Sequence, residues 1–366
     1  MINVLIVDDS AIVRAMIKEV MESDIRFHVV GIAENGEKAL ERNAELKPDL
    51  IVMDINMPVM DGLAATQRIM SESNPAVVIF TTEDTVRIGY SCIEAGAAEV
   101  FSKPDFSVMT TEVLRDFCDR LASIAETRQR LNASRAARKS PAQDTDASAE
   151  SAVIRAEETG PVSDAGHPVK SKRLNYDICL IGSSTGGPAA VQTVLNSLGA
   201  DFPLPVLIAQ HIDSLFDEQF AKWLDETTCF SVSLAESGVS PEPGHAYVAP
   251  ANRHLVVTPG VSKGSFELTL SDEPPVHFLK PAVDKLFISG AKVLGKRAIA
   301  AILTGMGKDG ADGCLELLKS GACTIAQDEE SCIVFGMPRA AIDAGGIEEV
   351  CPLEQIGERI RLRAGA

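Results

Sequence analysis

The sequence is poor in basic residues relative to acidic ones. It contains 34 Lys and Arg residues against 52 Asp and Glu residues, which gives a formal net charge of -18. Proteins that bind nucleic acids regardless of sequence need a basic surface that displaces counterions from phosphates. The charge therefore argues against that class, and we expect no nucleic-acid partner. Acidity of this degree otherwise indicates only a soluble protein.

Cysteine pairs and long apolar runs are also lacking. The eight cysteines are scattered and form no C-x-x-C pair, which favours buried reduced thiols over disulfides or a cysteine metal site. No apolar run approaches the roughly 18 residues of a membrane-spanning helix, so we expect no membrane insertion. The chain begins Met1-Ile2-Asn3-Val4 and soon reaches two aspartates, unlike a signal peptide. These features together predict a reducing, cytoplasmic setting.

The chain is long enough for two domains joined by a linker. It has 366 residues, of which 45% are hydrophobic and 23% are charged, as is typical of globular proteins. Domains are predicted at 1–122 and 175–366. The stretch 123–174 lies between them, and its part 134–166 is rich in Ala, Ser, Glu and Asp and shows little apolar periodicity. It cannot bury enough surface to offset its ordering entropy, so it is predicted to be a flexible linker in which a helix persists over 126–138.

Both domains alternate short apolar runs with helical patterns. In the first, buried strands are predicted at 4–7, 50–53, 77–80 and 99–102, with helices at 11–21, 36–46 and 63–72. In the second, strands are predicted at 178–182, 206–210, 298–303 and 323–326, with helices at 189–198, 218–226, 281–294 and 311–319. Such alternation implies right-handed crossovers and a parallel sheet covered on both faces. The sequence therefore predicts two doubly wound α/β domains.

Polar residues follow the predicted strands of the first domain. They are Asp8, Asp9, Asp54, Thr81, Thr82 and Lys103. Ligand groups gather beyond the carboxyl ends of parallel strands, so these side chains should converge. Crowded carboxylates repel each other unless a hard cation binds, and Mg²⁺ suits an all-oxygen site. A carboxylate beside Mg²⁺ can attack phosphorus, while a lysine and a hydroxyl hold the phosphoryl oxygens. Each aspartate alone could cap a helix or form a turn, but the combination favours a phosphoryl site.

The motifs at these strand ends resemble the two-component receiver domain, which has a flavodoxin-like fold. They are Val7-Asp8-Asp9-Ser10, the run 53–62 (MDINMPVMDG) and Lys103-Pro104. The resemblance implies that Asp54 accepts the phosphoryl group and that Asp8, Asp9, Asp54 and the Asn56 carbonyl hold Mg²⁺. It also implies that Lys103 binds the phosphoryl group. Thr81 is the expected switch hydroxyl because it directly follows its strand, and Thr82 is the alternative. The pair Val100-Phe101 departs from the usual register of the receiver aromatic residue.

A serine in the second domain lies in the run Gly182-Ser183-Ser184-Thr185-Gly186, between a strand and a helix. This fits G-x-S-x-G, in which small neighbours let the serine occupy a sharp turn, and the N–H groups that open the next helix suit an oxyanion. Such a turn could equally hold a phosphate, but the lysine of a Walker A loop and a G-x-G-x-x-G motif are both lacking. The sequence therefore favours Ser184 as a nucleophile.

A base and an orienting carboxylate are expected at the same sheet edge. His211 closes the strand at 206–210, and both Asp309 and Asp312 follow the strand at 298–303. Either aspartate could orient the base or cap a helix. The remaining histidines of this domain, in stretches that indicate loops or irregular strands, are expected to be structural or at the surface: His245, His254 and His277. The order Ser, His, Asp differs from the α/β-hydrolase order, which indicates similar chemistry on another connectivity.

This second domain resembles the CheB-type chemotaxis methylesterases, a Rossmann-like doubly wound fold. The resemblance runs through 176–352 and rests on the runs 183–188 (SSTGGP), 210–211 (QH), 249–250 (AP), 281–287 (PAVDKLF), 303–310 (LTGMGKDG) and 326–338 (AQDEESCIVFGMP). It implies Ser184 as nucleophile, His211 as base and Asp309, rather than Asp312, as orienter. It also implies an oxyanion hole formed by the amides of Thr185 and Met306. Two features depart from the family: Ala282 replaces a common serine, and the linker is long.

The resemblance to both families implies a function. Glutamate methyl esters on methyl-accepting chemotaxis receptors would be hydrolysed, and glutamines deamidated, without a cofactor for the esterase. A chemotaxis histidine kinase would phosphorylate the receiver, which covers the active site until then. A DNA-binding response regulator is disfavoured by the charge and by the lack of a helix-turn-helix after the linker. A phosphorylation-dependent scaffold with a silent esterase site stays open, because an intact triad does not prove turnover.

Overall fold

The structure is a computed structural model that describes residues 1–81, 86–103, 110–139, 176–262 and 264–366. Thr82 and the greater part of the predicted linker lie outside these ranges.

The first domain is built on a five-stranded parallel sheet. The strands are β1 (Ile2–Val7), β2 (Phe27–Ala33), β3 (Leu50–Asp54), β4 (Ala76–Thr81) and β5 (Glu99–Ser102), and their order is β2-β1-β3-β4-β5. The helices are α1 (Ala11–Ser23), α2 (Gly36–Leu46), α3 (Gly62–Glu72), α4 (Val86–Glu94) and α5 (Thr111–Lys139). The predicted doubly wound fold is confirmed. The prediction lacked β2, whose residues are buried only at its two ends and therefore give no continuous apolar run.

Polar side chains fix where the first helices begin. Ser10 accepts a hydrogen bond from the N–H of Val13, and Asp61 accepts one from the N–H of Ala64. Caps of this kind stabilise a helix by about 1 kcal/mol. Both caps lie in loops that follow the carboxyl ends of strands, so they also hold the acidic residues there in place.

The helix α5 is 29 residues long and continues across residue 123, where the linker was predicted to begin. The helix predicted over 126–138 is part of it. The boundaries of the two domains stay predictions.

The second domain has a seven-stranded parallel sheet of order β14-β13-β12-β6-β7-β9-β8 and a separate antiparallel pair, β10 and β11. The strands are β6 (Ile178–Ser183), β7 (Val206–Gln210), β8 (Ser231–Leu234), β9 (His245–Val248), β10 (His254–Pro259), β11 (Phe266–Ser271), β12 (Ala298–Ile302), β13 (Cys323–Gln327) and β14 (Glu349–Cys351). The helices are α6 (Gly187–Leu198), α7 (Asp217–Thr227), α8 (Val283–Val293), α9 (Ala311–Lys319), α10 (Met337–Asp343) and α11 (Leu353–Ala364), and a 3₁₀ turn lies at Gly295–Arg297.

The four predicted strands of this domain are the buried centre of its sheet. Every residue of β6, β7, β12 and β13 is buried, which is why their apolar runs were recognisable. The expectation of loops or irregular strands around His245 and His254 was wrong, because these residues begin the regular strands β9 and β10. Both strands are short and of mixed polarity, and β10 lies outside the main sheet.

Aromatic rings join the two domains. Tyr90 of α4 stacks on Trp223 of α7 with ring centroids 5.2 Å apart and an angle of 18°. The Tyr90 hydroxyl donates to the carbonyl oxygen of Phe216 at 3.3 Å. Glu94 of α4 accepts hydrogen bonds from Trp223 Nε1 at 3.1 Å and Gln192 Nε2 at 3.5 Å. The face of the first domain that contains α4 therefore packs on the α6 and α7 helices of the second.

All eight cysteines are free thiols, and all except the exposed Cys229 are buried. Within the described ranges, the helices are too short or too polar to cross a bilayer.

Candidate active site and phosphorylation site

Three neighbouring strands bring the predicted serine, histidine and aspartate together. Ser184 directly follows β6, His211 directly follows β7, and Asp309 lies in the loop after β12. Because the sheet order is β12-β6-β7 and the strands are parallel, these residues share one sheet edge. All three line one cavity of about 490 Å³.

His211 and Asp309 form a close hydrogen-bonded pair. His211 Nε2 lies 2.7 Å from Asp309 Oδ2, and the aspartate is 1% exposed. Burial raises the pKa of Asp309, but hydrogen bonds from His211 and from the amides of Asp284 and Val283 outweigh it and hold this pKa below its usual value. With Nε2 occupied, Nδ1 is the nitrogen left to accept a proton. Asp312, the alternative, is an exposed residue of α9.

Gln210 holds the serine loop against the histidine. Its Oε1 accepts from Ser183 Oγ at 2.6 Å, and its Nε2 donates to the carbonyl oxygens of Ser184 and His211, both at 2.9 Å. Gly187 is required beside it, because a Cβ there would lie 1.9 Å from Gln210 Oε1. Sequence reasoning noted the Gln210-His211 pair without assigning the glutamine this role.

Two backbone amides beside the serine are available to an oxyanion. Thr185 and Met306 both line the cavity. Within the described ranges, neither of their N–H groups donates a backbone hydrogen bond. Gly305 packs so tightly on Ser184 that a Cβ at this position would lie 2.7 Å from the serine Cβ. The chain therefore brings the loops with both amides close to the serine.

A second buried aspartate, Asp284, lies behind the His211–Asp309 pair. It is 3% exposed, and its Oδ1 accepts from the N–H of Gly313 at 2.7 Å. Burial, together with the charge of Asp309, raises the pKa of Asp284 to about 7. His277 Nε2 lies 4.0 Å from its Oδ2. Asp284 does have a signal in the sequence, because it is an ionisable residue in the largely apolar first turn of α8. The sequence prediction did not use this signal.

The acidic residues of the first domain also converge. Carboxylate oxygens of Asp8, Asp9 and Asp54 all lie within 4.8 Å of one another. Lys103 Nζ lies 2.9 Å from Asp8 Oδ2 and 2.9 Å from Asp54 Oδ1. Burial raises the pKa of Asp54, although Lys103 opposes this shift. A compact set of hard oxygen donors beside a cation is the donor set that fits Mg²⁺.

The remaining predicted residues of this site lie at the same sheet edge. Thr81 ends β4 and is buried, and its carbonyl oxygen accepts from the Lys103 N–H at 2.7 Å. Asn56 is exposed in the loop after β3, two residues beyond Asp54. Thr82, the alternative switch hydroxyl, lies outside the described residues.

The first domain also forms part of the wall of the esterase cavity. Tyr90, Glu99 and Phe101 line it together with Ser184 and His211. Glu99, the first residue of β5, accepts a hydrogen bond from the N–H of Gly186 at 3.1 Å. Burial raises the pKa of Glu99. A carboxylate of one domain thus lies at the N-terminal end of α6 in the other, two residues from Ser184.

Comparison with known proteins matches both halves of the chain. The CheB methylesterase family model matches residues 179–360, and the response regulator receiver domain model matches residues 4–114. A protein-glutamate methylesterase/protein-glutamine glutaminase 1 of Vibrio cholerae is 36% identical, with 100% of this chain and 99% of the relative covered. A relative of the same name from Geobacter metallireducens is 38% identical, with 98% of this chain and 95% of the relative covered. The crystal structure of the Thermotoga maritima CheB methylesterase catalytic domain is 36% identical and covers 50% of this chain and 97% of its own, with a TM-score of 0.49.

Proposed function

Because the chain belongs to the CheB methylesterase family and has a receiver domain in front, we propose a specific activity for it. It hydrolyses glutamate methyl esters, and deamidates glutamines, on methyl-accepting chemotaxis receptors in the cytoplasm. It uses a Ser-His-Asp mechanism that phosphorylation of Asp54 controls. The observation that carries this proposal is the 2.7 Å pair of His211 and Asp309 in the cavity that Ser184 also lines.

The chemistry uses one nucleophile and one proton carrier. Ser184 Oγ attacks the side-chain carbonyl carbon of the substrate while His211 Nδ1 takes its proton. The buried Asp309 accepts the Nε2 hydrogen bond and stabilises the imidazolium that forms. His211 then gives the proton to the leaving methoxide or amide, which departs as methanol or ammonia. Water hydrolyses the acyl-serine by the reverse proton route and releases glutamate.

The negative charge of the tetrahedral intermediate develops on the former carbonyl oxygen. The N–H groups of Thr185 and Met306 are the donors we assign to it, because both residues line the cavity. Loss of one such donor typically slows catalysis by about 10²- to 10³-fold. The tight packing of Gly305 on Ser184 fixes the approach of the loop that contains Met306.

The receiver supplies the control. Asp54 is the phosphoacceptor we propose, and Asp8, Asp9, Asp54 and the Asn56 carbonyl would hold Mg²⁺. When bound, the ion neutralises charge on the phosphoryl oxygens. Lys103 Nζ lies 2.9 Å from Asp54 Oδ1 and is placed to bind the transferred phosphoryl group. We propose Thr81 as the switch hydroxyl that responds to this group. The phosphodonor would be a chemotaxis histidine kinase.

Phosphorylation would act on the wall that the two domains share. It replaces the single negative charge of the Asp54 carboxylate with a phosphoryl group that carries about -1.5 to -2 charges. This change lies at the sheet edge of the first domain, where β5 leads from Glu99 to Lys103. That charge activates the esterase if it favours an arrangement in which the first domain leaves the cavity. The contacts of Tyr90, Glu94 and Glu99 hold the closed arrangement.

The test is methanol release from methylated receptor, with and without a small phosphodonor and Mg²⁺. We expect release that the phosphodonor stimulates, and a loss of roughly 10⁶-fold in Ser184→Ala. Asp54→Asn should abolish stimulation and keep the basal rate. A folded chain that releases no methanol under any condition would instead support a scaffold with a silent site.

A further inference from the structure

A two-residue turn at the mouth of the cavity has a backbone that its residue types disfavour. Val276 and Leu279 exchange backbone hydrogen bonds of 3.1 and 2.8 Å, which close a hairpin around His277 and Phe278. The φ angles of His277 and Phe278 are 51° and 65°, both in the left-handed region. Turns with two such residues usually contain Asn-Gly, because a bulky side chain is strained there.

Phe278 gains no burial in return for this strain. Its side chain is 95% exposed. His277 and Leu279, on either side of it, line the cavity that contains Ser184. His277 and Leu279 thus form part of the cavity wall, and Phe278 between them is exposed to solvent beside the cavity opening. Strained residues of this kind are concentrated at functional sites, and aromatic residues are frequent binding hot spots.

Charged residues at the opening of the same cavity limit which ligands could pack against Phe278. Lys308, directly before Asp309, is exposed and lines the cavity. Asp213, which is also exposed, lines the same cavity. An apolar ring beside exposed charges of both signs suits a protein segment that has both apolar and charged side chains. A receptor helix with target glutamates is such a segment, whereas a small glutamate methyl ester has no neighbouring side chains that could pack on Phe278.

Resting on the function proposed above, we propose that Phe278 is a specificity-determining residue for protein substrates. It packs against an apolar side chain of the receptor helix that carries the target glutamate. The contact lowers the KM for receptor and leaves the chemical step to Ser184, His211 and Asp309. The strain in the turn is the cost of holding the ring in that position.

A matched control lies elsewhere in the same domain. Single exposed apolar residues are common on protein surfaces, and Val261, between β10 and β11, is 98% exposed. Val261 is not one of the residues that line the cavity. Val261→Ala therefore removes an exposed apolar side chain without touching the proposed contact.

The experiment uses the full chain with Mg²⁺ and a small phosphodonor. Methanol release is measured for methylated receptor fragments and for a small glutamate methyl ester, in wild type, Phe278→Ala, Phe278→Gly and Val261→Ala. We expect both Phe278 variants to lower the ratio of receptor to small-ester kcat/KM by about tenfold or more, through the receptor KM. Val261→Ala should keep the wild-type ratio. Phe278→Gly should melt no lower than wild type, because glycine relieves the strain.

The outcomes separate the two proposals. Wild-type release from receptor with an unchanged ratio in both Phe278 variants overturns the role of this turn and leaves the proposed function standing. No release from receptor by wild type, with small-ester turnover intact, overturns the receptor as substrate and this inference with it. A fall in kcat for the small ester equal to the fall for receptor also overturns it, because that pattern would indicate a disturbed active site.

Discussion

At the scale of single residues, the choice between Asp309 and Asp312 is the sharpest test of the triad. Asp309→Asn should keep the fold and lower the esterase rate by up to about 10⁴-fold, because the wrong histidine tautomer is favoured. Asp312→Asn, an exposed change on α9, should alter the rate far less. Steady-state methanol release from both variants measures the difference. The reverse ranking would show that His211 is oriented by another carboxylate.

The buried Asp284 should make stability depend on pH. Its pKa is about 7 in the folded chain and about 3.9 when unfolded. Between these values the folded state binds the additional proton, so the free energy of unfolding falls as pH rises. Asp284→Asn keeps the acceptor for the Gly313 N–H and cannot ionise. Its Tm advantage over wild type should therefore grow by on the order of a few degrees from about pH 4 to 7.

Thermal melts of both proteins across that pH range measure this effect. Asp343→Asn, an exposed residue at the end of α10, is the control and should follow wild type. A constant gap between Asp284→Asn and wild type would mean that Asp284 is ionised throughout.

The sequence predicts the site residues that directly follow strands better than the residues that contact the site from other elements. Ser184 and His211 each come directly after a buried apolar run, so their shared sheet edge follows from the strand order. Asp284 lies in a helical turn among apolar residues, and its role depends on Asp309, 25 positions away. Phe278 and its backbone angles also depend on the hairpin around it. The sequence indicates Asp284 only as an ionisable residue in a largely apolar helical turn, and no local pattern indicates Phe278.

At the scale of elements, the close contact of α6 with Gln210 makes Gly187 indispensable. A Cβ at this position would lie 1.9 Å from Gln210 Oε1 and 2.9 Å from Ser183 Cβ. Gly187→Ala should therefore displace Gln210 from its bonds to Ser183 and Ser184 and lower kcat by about 10²-fold, as a misplacement near 1 Å can. Methanol release from the folded variant measures it, with Gln210→Ala as the comparison. A rate near wild type would show that the loop tolerates the shift.

The elements themselves were predictable in proportion to their burial. The strands β1, β3, β4, β6, β7, β12 and β13 are buried and mostly apolar, and each overlaps a predicted strand. The less buried β5 was also predicted, although its pattern is weaker. The short strands β8, β9 and β14 lie at or near the edges of their sheet, and β2 is partly exposed. Such strands are specified by what pairs with them rather than by their own pattern.

At the scale of the whole molecule, the contacts of α4 should restrain the esterase. Glu94→Ala removes hydrogen bonds to Trp223 and Gln192 across the domain interface. We expect the unphosphorylated rate to rise severalfold, since the two bonds together contribute about 1 kcal/mol to the closed arrangement. Glu41→Ala, which removes an exposed pair with Lys38 on α2, should leave that rate unchanged. Methanol release without phosphodonor is the measurement, and an unchanged rate in Glu94→Ala would contradict the restraint.

The domain packing could not have been predicted from the sequence. Tyr90 and Trp223 are 133 positions apart, and each belongs to an ordinary amphipathic helix. Local periodicity indicates which face of a helix is apolar but not which surface covers it. The resemblance to the family supplied the idea of a covered site, and the residues that cover it emerge only from the fold.

The strand β5 connects the phosphorylation site with the esterase site, so ligands at the two sites can be coupled thermodynamically. Glu99 at its start contacts the Gly186 amide, and Lys103 just after its end contacts Asp54. The two residues are four positions apart, or about 13 Å along a strand.

Coupling through such an element works in both directions. If a phosphoryl analogue at Asp54 tightens receptor binding by some factor, bound receptor must tighten the analogue by the same factor. A high local density of receptor would then raise the occupancy of the receiver by the analogue, so the substrate would itself shift the switch toward its active state.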